Sequence, residues 1–216
     1  MTQLLALFSI LTAFPAQRMA LDSTKGLTMI GTAEMSSTTY RGKKAIMAVN
    51  TDLNGIGLIL IPNCTFQDGS LDVDVAAKPC KGARPDARGF GGLAWRVTAE
   101  TPKFEYFYIR ATNGRAENQV LRNHAVQYAA HPDFPFQVLR KQSPETYEAY
   151  TDLEVGEWTH LHVEVKGLEA KFYVGHASQP CLVVHDLKLG NTSGQVGLWI
   201  GPESEAYFAN LEVKAK

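Results

Sequence analysis

The chain has 216 residues, of which 45% are hydrophobic and 20% are charged, and its formal net charge is −1 at pH 7. This composition is ordinary for a folded domain and excludes an extensively disordered chain. The lysines and arginines are scattered, so a nucleic-acid partner is not predicted, because nucleic-acid-binding proteins usually carry a basic excess on one face. One domain fits this length, since single all-β domains of ~200–250 residues are common.

An apolar run, Leu4–Phe14, lies close to the start of the sequence. It has the length of the apolar region of a secretory signal peptide and is too short to span a bilayer. Ala16 and Ala20 supply small residues after it, although no Lys or Arg precedes it and no A-x-A site closes it. Residues 1–20 are therefore predicted to be a signal peptide, 21–216 a single domain, and the protein secreted or periplasmic. A buried first strand or helix is the alternative, and no later segment is apolar enough to predict a membrane span.

The rest of the sequence consists of short strand-like segments separated by turn signals. Gly69–Lys78 alternates most clearly, with Leu71, Val73 and Val75 on one face and acidic residues between them. The predicted strands, in chain order, are Lys43–Asn50, Gly55–Pro62, Gly69–Lys78, Phe90–Ala99, Phe104–Ala111, Trp158–Gly167, Glu169–Gly175, Cys181–Leu187, Gly194–Gly201 and Ala206–Lys214. Only Ala116–Asn123 has helical periodicity. This pattern favours an all-β jelly-roll sandwich of two antiparallel sheets.

Three cysteines are present, Cys64, Cys80 and Cys181. In an exported chain one pair could form a disulfide, and a Cys64–Cys80 bond would staple one hairpin and stabilise the fold by ~3 kcal/mol in the chain-entropy model. The sequence does not fix the connectivity, and Cys181 would equally fit a buried strand. No CxxC motif supports a structural zinc site.

Polar side chains are concentrated over residues 104–136. In an extended strand Tyr106, Tyr108 and Arg110 share one face, while the apolar residues between them face the core. Aromatic rings beside Arg, Asn and Gln suit sugars, whose hydroxyl groups take hydrogen bonds while their C–H faces stack on rings. The predicted substrate-binding residues are Arg96, Tyr106, Tyr108, Arg110, Asn113, Arg115, Asn123 and Gln127, and the candidate catalytic residues are His124 and His131. The alternative is that each is an ordinary turn, cap or outer-face residue.

A divalent metal ion is a further possibility in this region. His124 and His131, with Glu117 or Asp133, would supply nitrogen and oxygen ligands. The spacing and the intervening proline fix no geometry, so the metal-binding residues stay unknown. The histidines of the His160–His162 motif point the same way along a strand, but solvent exposure of an alternating polar face explains them equally well.

Four phrases of the sequence resemble the concanavalin A-like jelly rolls, and within them the LamG-like branch that includes the 3-keto-disaccharide hydrolase domains. They are Cys64–Ala76, Phe90–Val97, Val155–Gly175 and Gly194–Val213. The resemblance runs from about residue 28 to the C-terminus. It implies one convex and one concave sheet, a ligand groove on the concave side, and a carbohydrate ligand.

The sequence departs from the catalytic members of this group at two places. Retaining laminarinase-type enzymes carry an E-x-D-x-x-E strand, whereas the nearest match here has Asp72 and Asp74 without a glutamate. In the keto-disaccharide relatives a glutamate precedes a glutamine, and here Ala125 precedes Gln127. Two functions stay open: an exported glycoside hydrolase or lyase of the 3-keto-glycoside type, with a histidine of this region as general base or metal ligand, and a non-catalytic carbohydrate-binding or adhesion module.

Overall fold

The computed structural model describes residues 16–98 and 102–216. In this part of the chain almost all regular structure is β-strand. The strands are β1 (Gln17–Met19), β2 (Thr28–Gly31), β3 (Glu34–Tyr40), β4 (Lys43–Asn50), β5 (Gly57–Phe66), β6 (Gly69–Pro79), β7 (Phe90–Val97), β8 (Phe104–Arg110), β9 (Val126–His131), β10 (Glu148–Ala149), β11 (Thr159–Lys166), β12 (Glu169–Val174), β13 (Leu182–Val184), β14 (Gly194–Ile200) and β15 (Ser204–Ala215). The helices are α1 (Gln119–Asn123) and α2 (Phe136–Gln142), and a 3₁₀ turn covers Ala111–Asn113.

The strands form two antiparallel sheets. Sheet A has the order β13-β12-β11-β6-β15-β4-β3, with β1 also beside β15, and sheet B has the order β10-β9-β8-β7-β14-β5-β2. This arrangement confirms the predicted concanavalin A-like jelly-roll sandwich. Within the described ranges, neither helix has the length or apolar character needed to cross a membrane.

The hydrophobic core lies between the two sheets, as the alternating pattern predicts. Leu71, Val73 and Val75 of β6 point into it and are fully buried. Across the sandwich, the rings of Phe107 from sheet B and Phe172 from sheet A stack with centroids 4.5 Å apart. The apolar faces assigned from the sequence therefore meet each other.

The structure shortens some predicted elements and adds others. The predicted helix over Ala116–Asn123 is observed only as α1, where the side chain of Asn118 accepts a hydrogen bond from the Val120 amide and caps the first turn. The predicted strand from Phe90 ends at Val97, and its last predicted residue, Ala99, lies outside the described residues. Strands β1, β2, β3, β9 and β10 and helix α2 were not predicted, because polar or very short segments give no clear periodicity.

The predicted Cys64–Cys80 disulfide is wrong, because all three cysteines are free thiols. Cys64 lies in β5 of sheet B, close to the turn that leads into β6. Cys80 directly follows β6 of sheet A, about 35 Å along the strand from that turn at the usual rise per residue. A disulfide needs Cα atoms less than about 7 Å apart. Burial raises the pKa of Cys64 to about 11, so its thiol stays protonated at neutral pH.

The first described strand bears on the predicted signal peptide. Leu4–Phe14 lies outside the described residues, but Gln17–Met19 forms β1 and pairs with Leu211–Val213 of β15. Leu21, just beyond β1, is buried in the core. Cleavage at Ala16 would keep β1 in the domain, whereas cleavage at residue 20 would remove it.

Candidate functional site

Arg96 is a buried anchor for three loops and lies apart from the other predicted site residues. Its backbone has a φ of +55° where the register between β7 and β14 shifts, so the side chain turns away from the sheet face. Its Nε donates to the carbonyl of Gln67 at 3.0 Å, Nη1 to that of Gly190 at 2.7 Å, and Nη2 to that of Gly167 at 2.8 Å. The carboxylate of Asp68 lies 3.2 Å from Nη2. The side chain is fully buried, so it holds the fold together at this end of the sandwich.

Two further predicted residues also lie apart from the others. Arg115 is an exposed residue whose guanidinium pairs with Asp152 at 2.9 Å and with Glu154 at 2.6 Å. The ring of His131 stacks on Phe104, with centroids 4.9 Å apart, and burial lowers the pKa of this histidine. His131 stands at the far end of β9 from His124, so the structure does not bring the two candidate catalytic histidines together.

Five predicted residues do converge at one edge of sheet B. Tyr108 of β8 lies opposite Gln127 of β9 in the strand register. The Nη2 of Arg110 donates to the Tyr108 hydroxyl and to Oε1 of Gln127, both at 3.1 Å. Its Nη1 and the Nδ2 of Asn113 both donate to the carbonyl of His124 at 3.0 Å. Only the histidine is more than 5% exposed, so the other four form a polar layer just beneath the surface.

Glu148 completes this cluster, and the sequence analysis did not identify it. It lies in β10 opposite Gln127 and is almost fully buried. Its carboxylate accepts hydrogen bonds from Arg140 Nε at 2.9 Å and Nη2 at 2.6 Å, and it lies 3.2 Å from His124 Nε2 and 3.8 Å from Arg110 Nη1. Burial lowers the pKa of His124, which favours the neutral imidazole at pH 7. A two-residue strand carries no detectable periodicity, so no sequence pattern identifies Glu148.

A hollow of about 200 Å³ opens at the surface above this cluster, and we call it the His124 hollow. It is lined by Asn123, His124, Glu145, Glu148, Ala149 and Tyr150. The ring of Tyr150 is 45% exposed, and the Arg122 guanidinium lies over it, 5.2 Å from the ring centroid. The hollow therefore combines an accessible aromatic ring with fixed polar side chains.

A row of aromatic rings continues from this cluster along the outer face of sheet B. Tyr106 stacks on Tyr108 with centroids 5.5 Å apart, and Tyr108 lies 4.6 Å from Trp199. Tyr106, Tyr108 and Arg110 thus share one face, as predicted, but the three rings are only 3% to 8% exposed. These rings pack beneath Arg110 and are too buried to form a stacking surface for a ligand.

The outer face of sheet A holds a second ionisable cluster, to which the sequence analysis gave little weight. The register of β6 and β11 places His160 opposite Asp74 and His162 opposite Asp72. His162 Nδ1 lies 2.7 Å from Asp72 Oδ1, and His160 lies 3.0 Å from Asp74 and 3.3 Å from Asp72. Lys43 Nζ also contacts Asp74 at 2.7 Å. We call these four His and Asp residues the His–Asp ladder.

Neither cluster is assigned a metal ion. Over residues 16–98 and 102–216, no group of three or more His, Cys, Asp or Glu side chains is arranged to hold one. His124 contacts Glu148, which lies beside Gln127 of β9, whereas His131 stacks on Phe104. Gln127 and His131 are four residues apart on β9, which is about 13 Å in an extended strand. The predicted pair is too far apart for both histidines to bind one ion.

The His–Asp ladder shifts the pKa of its members in opposite directions. Hydrogen bonds from His160 to Asp72 and Asp74 raise the pKa of this histidine to about 9, although burial opposes the shift. Burial disfavours the ionised form of both aspartates, but hydrogen bonds to the histidines outweigh it and lower their pKa well below the usual range. At neutral pH the ladder therefore contains an imidazolium between two carboxylates.

We expect His160 to stabilise the protein in a pH-dependent way. A raised histidine pKa contributes fully below the unfolded value of 6.5, and the contribution is lost as the pH rises through about 9. The lowered aspartate pKa values contribute above 3.8, and that stability declines as the pH falls further. The free energy of unfolding lost in His160→Asn should be largest between about pH 4 and 6.5 and should shrink towards zero above pH 9. Urea unfolding of both proteins from pH 4 to 10 measures this difference, and a pH-independent difference would contradict it.

Solved structures of the same fold are found among carbohydrate-binding and lectin-like proteins. The carbohydrate binding module CBM66 from Bacillus subtilis matches with a TM-score of 0.58 and 17% identity, over 86% of this chain and 93% of that one. A Bacillus subtilis protein of unknown function with a galectin-like fold matches with a TM-score of 0.56 and 13% identity, over 94% and 97% of the two chains. The exoplasmic/lumenal domain of VIP36, bound to Ca²⁺ and Man3GlcNAc, matches with a TM-score of 0.56 and 9% identity, over 91% and 88%.

These similarities show the fold. Comparison with protein-family models gives no match, and neither does comparison with curated proteins.

Proposed function

We propose that the protein is a non-catalytic carbohydrate-binding domain that holds one sugar unit in the His124 hollow. The observation that carries this proposal is the pairing of an accessible ring, Tyr150, with the fixed polar groups of His124 and Glu148 in one hollow. Sugars are bound by such combinations, because one face of the ring is apolar and its edge carries hydroxyl groups. The names of two structural neighbours, a carbohydrate binding module and a domain bound to Man3GlcNAc, support the same class of ligand.

The polar side of the hollow is held in place from below. Glu148 is fixed by two hydrogen bonds from Arg140, and the carbonyl of His124 accepts hydrogen bonds from Arg110 and Asn113. A neutral His124 that donates from Nε2 to Glu148 keeps Nδ1 as an acceptor. A ligand then meets polar groups that lose little freedom on binding, which favours affinity.

Binding explains this arrangement better than two-carboxylate hydrolysis does. Glycoside hydrolysis of that type needs an acid and a second carboxylate on opposite sides of the scissile bond. Both oxygens of Glu148 already accept hydrogen bonds from Arg140, so this carboxylate is engaged in structure. Asp72 and Asp74 lie on the outer face of the other sheet, in the His–Asp ladder.

A glycoside hydrolase or lyase is the second candidate, and the contact between His124 and Glu148 favours it. A carboxylate 3.2 Å from an imidazole nitrogen can orient the ring as a general base. Turnover of 3-keto-disaccharides or unoxidised disaccharides that disappears in His124→Gln would support this candidate. Sugar binding without turnover would support the binding domain. Export of the protein stays a prediction from the apolar run Leu4–Phe14.

We expect Tyr150→Ala to weaken sugar binding by about tenfold, since loss of an aromatic anchor typically costs more than 1 kcal/mol. A glycan array identifies the bound sugar, and calorimetric titration measures its affinity for both proteins. Leu53→Ala is the control, because this residue is 51% exposed and does not line the hollow. The proposal fails if no glycan is bound, or if Tyr150→Ala binds the identified sugar as tightly as the unaltered protein.

A further inference from the structure

A groove follows β11 on the outer face of sheet A, and at one end it reaches the loops that contain Arg115 and Asp152. It is formed by two hollows of about 480 and 390 Å³ that share His160, Gly175 and His176. The first hollow reaches Trp158, and the second reaches Glu164 and Tyr173. Residues 158–164 of an extended strand span about 20 Å. We call this continuous depression the β11 groove.

Flat rings line the β11 groove at regular intervals. Trp158 stands at one end, and Lys43 lies over its ring, 5.1 Å from the centroid. His160 follows and stacks on His176 with ring centroids 5.0 Å apart. His162 comes next and packs against Tyr173 at 5.3 Å. Because alternate residues of a strand point the same way, these rings recur about every 6.6 Å along β11.

The charges of the groove exclude a polyanionic ligand. Lys43 and Arg115 are its only lysine and arginine among the described residues, and both are already paired with carboxylates, at 2.7 and 2.9 Å. The acidic residues that line it are Asp74, Asp152, Glu154, Glu157 and Glu164. Grooves that bind nucleic acid or other polyanions need an excess of unpaired cations.

We infer that the β11 groove is a second binding site, and that it takes a linear oligosaccharide without acidic groups, several sugar units long. The repeating rings provide stacking surfaces for successive units, and the carboxylates beside them bind hydroxyl groups. The groove shares no lining residue with the His124 hollow, so this inference does not depend on the proposed function.

The three tryptophans of the chain provide a probe for this site. Trp95 and Trp199 are 0% and 4% exposed, whereas Trp158 is only partly buried and lines the groove. Quenching of tryptophan fluorescence by acrylamide therefore reports mainly on Trp158. We expect the six-unit member of at least one neutral series to reduce this quenching; the series to be tested are cello-, xylo-, malto- and N-acetylated chito-oligosaccharides of two and six units.

Calorimetry on the full chain tests the length of the site. The six-unit oligosaccharide should bind at least about tenfold more tightly than the two-unit one, because it contacts more rings. Tyr173→Ala should weaken binding of the six-unit probe about five- to tenfold and leave that of the two-unit probe nearly unchanged. Leu53→Ala is the control and should change neither, since Leu53 is 51% exposed and lines neither the β11 groove nor the His124 hollow.

Several results would overturn the inference. Equal affinity for two and six units would show that no extended site exists. Protection of Trp158 by none of the four series, or equally tight binding of a galacturonic-acid hexamer, would contradict the ligand class. Equal losses of six-unit affinity in Leu53→Ala and Tyr173→Ala would show that the loss does not come from the β11 groove. The glycan-array experiment with Tyr150→Ala tests the His124 hollow, and the titration with Tyr173→Ala tests the β11 groove. Either site can therefore be disproved without the other.

Discussion

Replacing Arg96 by alanine is expected to lower the free energy of unfolding by ~3–5 kcal/mol. The guanidinium donates to the carbonyls of Gln67, Gly167 and Gly190, in three separate loops, and its side chain is fully buried. Alanine would leave these carbonyls without their donor and would open a cavity between the loops. Urea unfolding monitored by circular dichroism measures the change.

Two other variants make the Arg96 experiment decisive. Arg96→Lys keeps the charge but lacks the planar fork that reaches several carbonyls at once, so an intermediate loss is expected. Arg115→Ala removes an arginine whose side chain is 58% exposed, and exposed ion pairs contribute at most ~1 kcal/mol. If Arg96→Ala unfolds at the same urea concentration as Arg115→Ala, Arg96 does not anchor the loops.

Glu148→Gln is expected to abolish measurable sugar binding in the His124 hollow and to destabilise the protein by ~2–5 kcal/mol. The neutral amide keeps the volume of the carboxylate but leaves the buried guanidinium of Arg110, and that of Arg140, without an anion. The amide has one acceptor oxygen where the carboxylate has two, so its NH₂ group faces either His124 Nε2 or Arg140 Nη2, and one of these hydrogen bonds is lost. Calorimetry with the sugar identified on the array, together with urea unfolding, measures both effects.

Glu145→Gln is the matched control for this second prediction. Glu145 lines the same hollow but is exposed, so its loss should change stability by less than ~0.5 kcal/mol. Binding should fall less than in Glu148→Gln, because Glu145 does not hold Arg110 or Arg140. Equal effects of the two substitutions would show that Glu148 acts only as one of several rim charges.

The architecture could be predicted because a strand that is buried on one face alternates apolar and polar residues along the sequence. Leu71, Val73 and Val75 alternate with polar residues, and this period of two identifies both the strand and its inner face. The Cys64–Cys80 pairing could not be judged in the same way. Its geometry depends on which sheet each strand joins, and the two residues are near in sequence while β5 and β6 belong to different sheets.

The candidate site was only partly predictable, because the sequence gives the face of a strand but not its cross-strand neighbours. Arg96 and Arg110 are both arginines at the ends of strands, yet a register shift turns the first into the loops. The pairing of β8 with β9 brings the second against Gln127. The same limit applies to His160 and His162, whose partners across the strand, Asp74 and Asp72, become visible only from the register.

The placement of β15 has a consequence for synthesis of the protein. Phe208 of this strand pairs with Val75 of β6 on one side and with Ile46 of β4 on the other, so β15 fills the centre of sheet A. During synthesis, the backbone groups of β4 and β6 that pair with β15 therefore stay unpaired until residues 204–215 have left the ribosome. Unpaired edges of this kind invite association between nascent chains. A premature stop before Ser204 should yield insoluble material instead of a smaller folded domain.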